Sequence, residues 1–261
     1  MKLSISNIAW DKEKDTEMYE YLSNVNFSGI EIAPTRIFEI DPYFHIEDAK
    51  QWKKKLESNY DLEISSMQSI WYGKKGNIFN SDDAKKFIEY TKKAIDFANS
   101  IKCNNLVFGC PKNRVMPEGK KEDDVIEFFR ILGNYAKEKQ TVLALEPNPT
   151  IYGTNFINYT DEAFNFVKKI NSEGIKVNVD LGTVIENKES LESIFNNINL
   201  VNHIHVSEPN LDIIKRRNEH KILADNLRKL NYNKYVSIET KNIGDIDKVK
   251  ETIKYVEEIF S

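Results

Sequence analysis

The chain has little cysteine: two residues in 261, Cys103 and Cys110. Their number and spacing suit neither a disulfide framework nor a zinc cluster, so both are read as free thiols. Long apolar runs are missing too. None approaches the roughly 20 residues that span a bilayer. The N-terminus, Met1-Lys-Leu-Ser-Ile-Ser, enters a strand directly and does not read as a signal peptide. A cytoplasmic protein with no membrane partner is expected. Nor is there an excess of basic charge. Lys and Arg total 37 against 41 Asp and Glu, for a formal net charge of −4. No basic stripe offers the clustered cations that a phosphate backbone needs, so no nucleic-acid partner is expected. The chain contains no Pro/Gly/Ser linker and no low-complexity tract. Residues 1–261 are therefore expected to form a single domain. Finally, the turn after the first apolar run, Asn7-Ile-Ala-Trp-Asp11, lacks a glycine-rich phosphate-binding fingerprint. That counts against an open doubly wound sheet.

What the chain does have is alternation. Short β-rich runs at Leu3–Ile8, Gly29–Ala33, Glu63–Met67, Asn105–Phe108, Val142–Glu146, Val177–Asp180, Val201–Val206 and Tyr235–Glu239 are separated by amphipathic stretches. Several runs are continuously apolar, as in Val142-Leu-Ala-Leu145, which is how parallel strands buried on both faces read. The stretches between them carry apolar residues at helical spacing. Examples are Phe87, Tyr90, Ala94 and Phe97, and Val249, Ile253, Val256 and Phe260. Such stripes are core-facing packing. Eight strands alternating with eight helices predict an α/β fold, a (β/α)8 TIM barrel. The longest loops, Pro34–His45, Gln68–Ser81 and Gly109–Lys121, follow strands two, three and four. They belong on the C-terminal face, where barrel active sites are built.

The last four strands break their apolar pattern at or near their ends, at Glu146, Asp180, His205 and Glu239. A polar side chain at the end of a buried strand is costly unless it is paired or bound. One such residue alone is commonly a helix cap or a partner of a surface Lys. Four in successive units of a barrel converge on one rim. Two Glu, one Asp and one His form a hard, oxygen-rich set for one divalent ion, Mn, Mg or Zn. Of the histidine pair, His203 and His205 are read as pointing to opposite faces of their strand. His205 then lies at the rim and His203 in a shell behind it.

These residues carry a resemblance. The segments Leu143-Ala-Leu-Glu-Pro-Asn148, Val177-Asn-Val-Asp-Leu-Gly182, His203-Ile-His-Val-Ser-Glu-Pro209 and Val236-Ser-Ile-Glu-Thr240 resemble those of the xylose-isomerase-like (β/α)8 superfamily. That superfamily holds sugar isomerases, epimerases and endonuclease-IV-like proteins. The segments Ser6–Asp11, Gly29–Thr35, Val107–Arg114 and Tyr152–Phe156 are similar to bacterial sugar phosphate isomerase/epimerase proteins. The resemblance implies that Glu146, Asp180, His205 and Glu239 bind one divalent metal, with the second His of the pair as the ligand. Two positions depart from the superfamily's ketose 3-epimerases. Thr183 stands where they usually carry His, and Leu211 where they usually carry Arg.

The expected chemistry is proton transfer next to a carbonyl through a metal-stabilised enediolate, on a sugar or sugar phosphate. Glu146 and Glu239 are expected to act as general base and general acid. Glu31, Gln68, Lys112, Asn113, Arg114, Glu208, His220 and Lys241 are candidate substrate contacts. Among them Lys112, Asn113 and Arg114 form a candidate anion clamp, because Arg binds phosphate or carboxylate bidentately. Trp10, Trp71 and Tyr72 are candidates to line the mouth. Two other readings use the same features: a metal-dependent sugar lyase or dehydratase, and a non-catalytic sugar-binding barrel. A homo-oligomer is compatible with each.

Overall fold

A computed structural model describes all residues, 1–261. Eight parallel strands close one barrel in chain order. They are β1 Lys2–Ser6, β2 Gly29–Ile32, β3 Glu63–Met67, β4 Asn105–Phe108, β5 Val142–Leu145, β6 Ile175–Asp180, β7 Val201–Val206 and β8 Tyr235–Ile238. β8 pairs back onto β1, with Leu3 opposite Val236 and Ile5 opposite Ile238. All eight expected strands form, and their bounds shift by a few residues at most. The (β/α)8 architecture is therefore as expected.

Helices wrap the strands because each buries one stripe. The helix Ser81–Ser100 starts at Asn80, whose side chain accepts from the N–H groups of Asp82 and Asp83. That satisfies two of the helix's orphan donors. It buries Phe87, Ala94, Ile95, Phe97 and Ala98. The helix Ile246–Phe260 is capped by Asp245 and buries Val249, Ile253, Val256 and Phe260. Between helices and strands runs a chain of edge-to-face aromatic contacts. Phe108 meets Phe129 at 5.1 Å, Phe129 meets Phe166 at 5.4 Å, and Phe166 meets Phe156 at 5.3 Å.

The space inside the barrel has a different character. Ser4, Ser6, Glu31, Ser66, Asn105, Asn178, His203, His205 and Ser237 are all fully or almost fully buried. They join across strands: Asn105 donates to Ser66, Ser237 donates to Glu31, and Gln68 donates to Ser6. The apolar core lies mainly outside the barrel wall and the polar residues inside it.

One close approach fixes how a helix seats on this wall. A Cβ built on Gly174, just before β6, would lie 2.0 Å from the carbonyl oxygen of Gly133 on the helix Ile126–Glu138. That neighbour is backbone and cannot swing aside. Gly174→Ala is therefore expected to destabilise the fold by about 1–3 kcal/mol, the usual cost of overpacking. Urea unfolding checks this; an unchanged midpoint would contradict the close packing.

Candidate metal centre

β5 to β8 deliver four candidate ligand side chains to one end of the barrel. Asp180 ends β6, His205 is the penultimate residue of β7, and Glu146 and Glu239 directly follow β5 and β8. The four offer ligand atoms that all lie within 4.8 Å of one another. His205 Nδ1 stands 3.0 Å from Glu146 Oε1 and 3.1 Å from Glu239 Oε2. Asp180, Glu146 and Glu239 keep 7–8% of their surface open, whereas His205 is closed off completely. The cluster thus sits at the floor of the C-terminal mouth.

Three of the four are held from behind. His205 Nε2 meets both oxygens of Glu31, at 3.0 and 3.1 Å. A carboxylate there keeps a proton on Nε2 and turns Nδ1 toward the cluster, where a cation would take the place of the Nδ1 proton. The amide of Asn178 donates to Glu146 Oε1 at 2.7 Å, and that of Asn148 donates to Glu146 Oε2 at 3.2 Å. Asp180 Oδ2 accepts from the Thr183 N–H at 2.8 Å and lies 2.8 Å from the Thr183 hydroxyl. Ser207 donates to the other Asp180 oxygen. Asp180 is also the N-cap of the helix Leu181–Asn187. Gly109, at the end of the β4 segment, leaves room for the first Glu: a Cβ there would be 2.8 Å from Glu146 Oε2.

Electrostatics are set by crowding in a buried place. Burial alone would raise the Glu31 carboxyl, but the imidazoles of His205 and His203 outweigh it and hold it well below the usual carboxylate range. Burial opposes a charged His205. Glu31 and Glu239, with Glu146, overcome this and push the imidazole well above its ordinary value. Glu239 is pushed up to about 7 by burial, with Glu146 and Glu31 adding to the rise and His205 opposing it. Burial and the charge of Glu146 raise Asp180 as well. The donor set fits a divalent cation. Three carboxylates and one imidazole nitrogen, closely spaced, are what such an ion recruits once the imidazole gives up its Nδ1 proton.

The histidine pair corrects one expectation. His203 and His205 do not point to opposite faces. Residues two apart in a strand share a face, and both rings lie inside the barrel, 5.3 Å apart. They differ in depth: His203 Nε2 is 3.8 Å from Glu31 and His205 is 3.0 Å from it. Glu31 itself is fully buried beneath His205, where no substrate can touch it.

The other candidate contacts disperse. Gln68 is buried and donates to Ser6. Lys112 is exposed. Asn113 ties two loops together by donating to the carbonyls of Lys74 and Gly76. Arg114 is wholly buried and donates to the Glu146 carbonyl at 2.9 Å and to Asn148 Oδ1 at 2.8 Å. These three do not form an exposed anion clamp. Glu208 is held bidentately by Arg217 at 2.5 and 2.6 Å. His220 is enclosed, its Nδ1 2.9 Å from the Tyr255 hydroxyl. Lys241 pairs with Asp212 in solvent. Trp71 stacks on Phe87 at 4.0 Å as a core residue, and Tyr72 is exposed. Trp10 and Tyr72, with Ile8, Thr35, Arg36 and Asn242, help line a cavity of about 650 Å³ formed by loops after β1, β2, β3 and β8. A second cavity, of about 430 Å³, opens near the strand starts around Lys2 and Tyr235; none of the four ligands lines it.

Asn148, Asn178 and Ser207 were not among the residues picked from the sequence, and Thr183 was noted there only as a departure from the ketose 3-epimerases. For Asn178 and Ser207 a signal existed. Each lies two positions from a ligand and so shares its face.

Comparison with known proteins adds three findings. The family model described as xylose isomerase-like TIM barrel matches residues 19–259. No curated protein sequence matches the chain. Among solved structures, 3-keto-D-glucoside 4-epimerase YcjR from E. coli superposes with a TM-score of 0.78 at 17% identity, covering 99% of each chain. D-psicose 3-epimerase from Clostridium cellulolyticum H10, solved with D-tagatose, gives 0.80 at 15% identity over 100% of both chains. The IOLI protein with a bound zinc atom gives 0.74 at 13% identity over 100% of both. At such identities the structural likeness establishes the fold.

The raised carboxyls make cation binding depend on pH. A ligand carboxylate or imidazole nitrogen must be deprotonated to bind metal. His205, raised well above its ordinary value, must therefore give up a proton to a cation throughout the neutral range, and Glu239, at about 7, and Asp180, raised as well, must do so increasingly as pH falls below about 7. Affinity is expected to fall by about tenfold per pH unit for each proton displaced. Titration calorimetry with Mn2+ at pH 6 and pH 8, in buffers of different ionisation enthalpy, measures both affinity and proton release. Equal affinity at the two pH values, with no proton release, would contradict this electrostatic picture.

Proposed function

We propose that this chain, which belongs to the xylose isomerase-like TIM-barrel family, is a divalent-metal-dependent sugar or sugar-phosphate isomerase or epimerase. The observation that carries this reading is the ring of Glu146, Asp180, His205 Nδ1 and Glu239 at the C-terminal mouth. The epimerases and the zinc-bound protein on the same fold support it. As a proposal, residues 1–261 form a single domain.

When bound, the ion supplies a Lewis acid that stabilises negative charge on a carbonyl oxygen as the neighbouring proton leaves. The remaining work belongs to the chain. Glu146 and Glu239 stand at the two ends of the arc from β5 to β8, flanking His205 Nδ1. Each has a second carboxylate oxygen to exchange a proton with substrate on its own side. A general base should titrate near the working pH, and Glu239, at about 7, is suited to receive a proton and return it. Removal on one face and return on the other inverts a stereocentre. Return to the neighbouring carbon interconverts aldose and ketose. Glu31 holds His205 in one tautomer throughout, so Nδ1 stays a ligand and does not compete for the proton.

The position three beyond Asp180 bears on the substrate. Thr183 is fully buried and committed to Asp180, so it makes no sugar contact. Leu211 sits in a left-handed turn, and its carbonyl accepts from the Lys241 N–H. Both observations favour a substrate, or a carbon of the substrate, different from that of the ketose 3-epimerases.

The test is hydrogen exchange. The Mn2+-loaded protein is incubated in D2O with a panel of sugars and sugar phosphates and followed by NMR. Deuterium is expected to enter one carbon next to a carbonyl with no loss of water. Glu146→Gln and Glu239→Gln are each expected to slow that exchange by about 10²-fold or more at saturating metal. Appearance of an absorbing enone would mean a lyase. No exchange with any sugar that binds would mean a non-catalytic barrel.

A further inference from the structure

Arg114 is among the largest fully buried side chains of the protein, and the proton transfers described above do not use it. A buried guanidinium is costly unless its charge is compensated. Here only Nη2 donates, to the Glu146 carbonyl at 2.9 Å, to Asn148 Oδ1 at 2.8 Å and to the Ile157 carbonyl at 3.4 Å. Nε and Nη1 are buried without a partner. A side chain kept at such cost has a task beyond filling space.

The contact with Asn148 suggests the task. An amide has a donor end and an acceptor end of the same shape, and its neighbours decide which way it faces. A guanidinium only donates. It therefore holds Asn148 Oδ1 on its own side and leaves Nδ2 facing Glu146 Oε2, at 3.2 Å. Asn178 holds the other oxygen of Glu146 from the far side, at 2.7 Å. Both oxygens of this carboxylate are thus met by amide donors, and one of those amides is set by Arg114.

The backbone around the contact is strained. Cys110, four residues before Arg114, has φ 45°, and Ile157 has φ 58°. The left-handed region is costly for a β-branched residue. The Ile157 carbonyl nevertheless accepts from both Arg114 and the Asn148 N–H. Strain of this kind persists where surrounding contacts over-determine a site.

We propose that Arg114 is a positioning residue that acts through Asn148 to aim the Glu146 carboxylate at the cation and the reacting proton. The inference rests on the reading of Glu146 as a metal ligand. It differs from a purely structural role, in which Arg114 only ties the segment after β4 to the segment after β5.

Mn2+ titration of wild type, Arg114→Met, Asn148→Ala and the double variant separates the two roles. Circular dichroism and melting temperature identify the folded variants. Each single change is expected to weaken Mn2+ binding 10- to 100-fold, as loss of an orienting partner does. The double variant is expected to lose no more than the worse single variant, because both residues act on one carboxylate. Unchanged affinity in folded single variants, or fully additive losses, overturns the proposal. If Arg114→Met does not fold, Arg114→Lys, which keeps the buried charge without the guanidinium's planar fork, takes its place in the same comparison. Wild type that binds Mn2+ while the variants bind it equally well removes only the positioning role. Wild type that binds no Mn2+ removes the metal-enzyme reading and this inference with it.

Discussion

The contact between Glu31 and His205 organises the C-terminal end of this barrel. Both groups are fully buried, so neither is solvated by bulk water. A carboxylate or an imidazolium alone in that place would carry a large desolvation cost. Together they divide the labour of one imidazole. Nε2 is committed to Glu31, and Nδ1 is left to face three carboxylates. Without Glu31, nothing else on β1 to β4 would fix the ring's orientation. With it, β2 takes part in a site whose ligands all come from β5 to β8. The same pair makes the carboxylate ring tolerable, since a cation or a protonated His205 balances charges that would otherwise repel one another.

This arrangement follows from where the protein keeps its core. The hydrophobic cluster packs mainly between the strands and the surrounding helices, through residues such as Phe97, Phe129, Phe166 and Phe260. The inside of the barrel is freed for Ser, Asn, Glu and His. A polar interior lets ligands be oriented by partners in layers. Asn178 and Ser207 hold Glu146 and Asp180, Ser237 holds Glu31, and Glu31 holds His205. The rigidity of the site is borrowed from strands that the outer helices keep in place.

The strands and the ring were legible in the sequence because both depend on local pattern. A polar residue closing an apolar run is visible without knowing its neighbours, and Glu146, Asp180 and Glu239 were found that way. The period of two was misapplied at His203 and His205. Correctly used, it puts both inside the barrel and also exposes Asn178, Ser207 and Ser237 as companions of the ligands. Other residues were illegible for a physical reason. Residue type shows what a side chain can bind, but not what reaches it first. Glu208 had an Arg partner nine residues away, Lys241 had Asp212, and Arg114 turned inward toward Glu146 and Asn148. Burial, which only the fold decides, made Glu208 and Arg114 internal supports, whereas Lys241 found its partner at the surface.

The central claim is that the four strand-end residues form one cation site, with His205 bonding through Nδ1. Crystals grown with Mn2+ and measured at its absorption edge test this directly. The account predicts a single strong anomalous peak bounded by Glu146, Asp180, His205 Nδ1 and Glu239, with Glu31 still on Nε2. Absence of a peak at that point, or a peak coordinated by His205 Nε2, would contradict it.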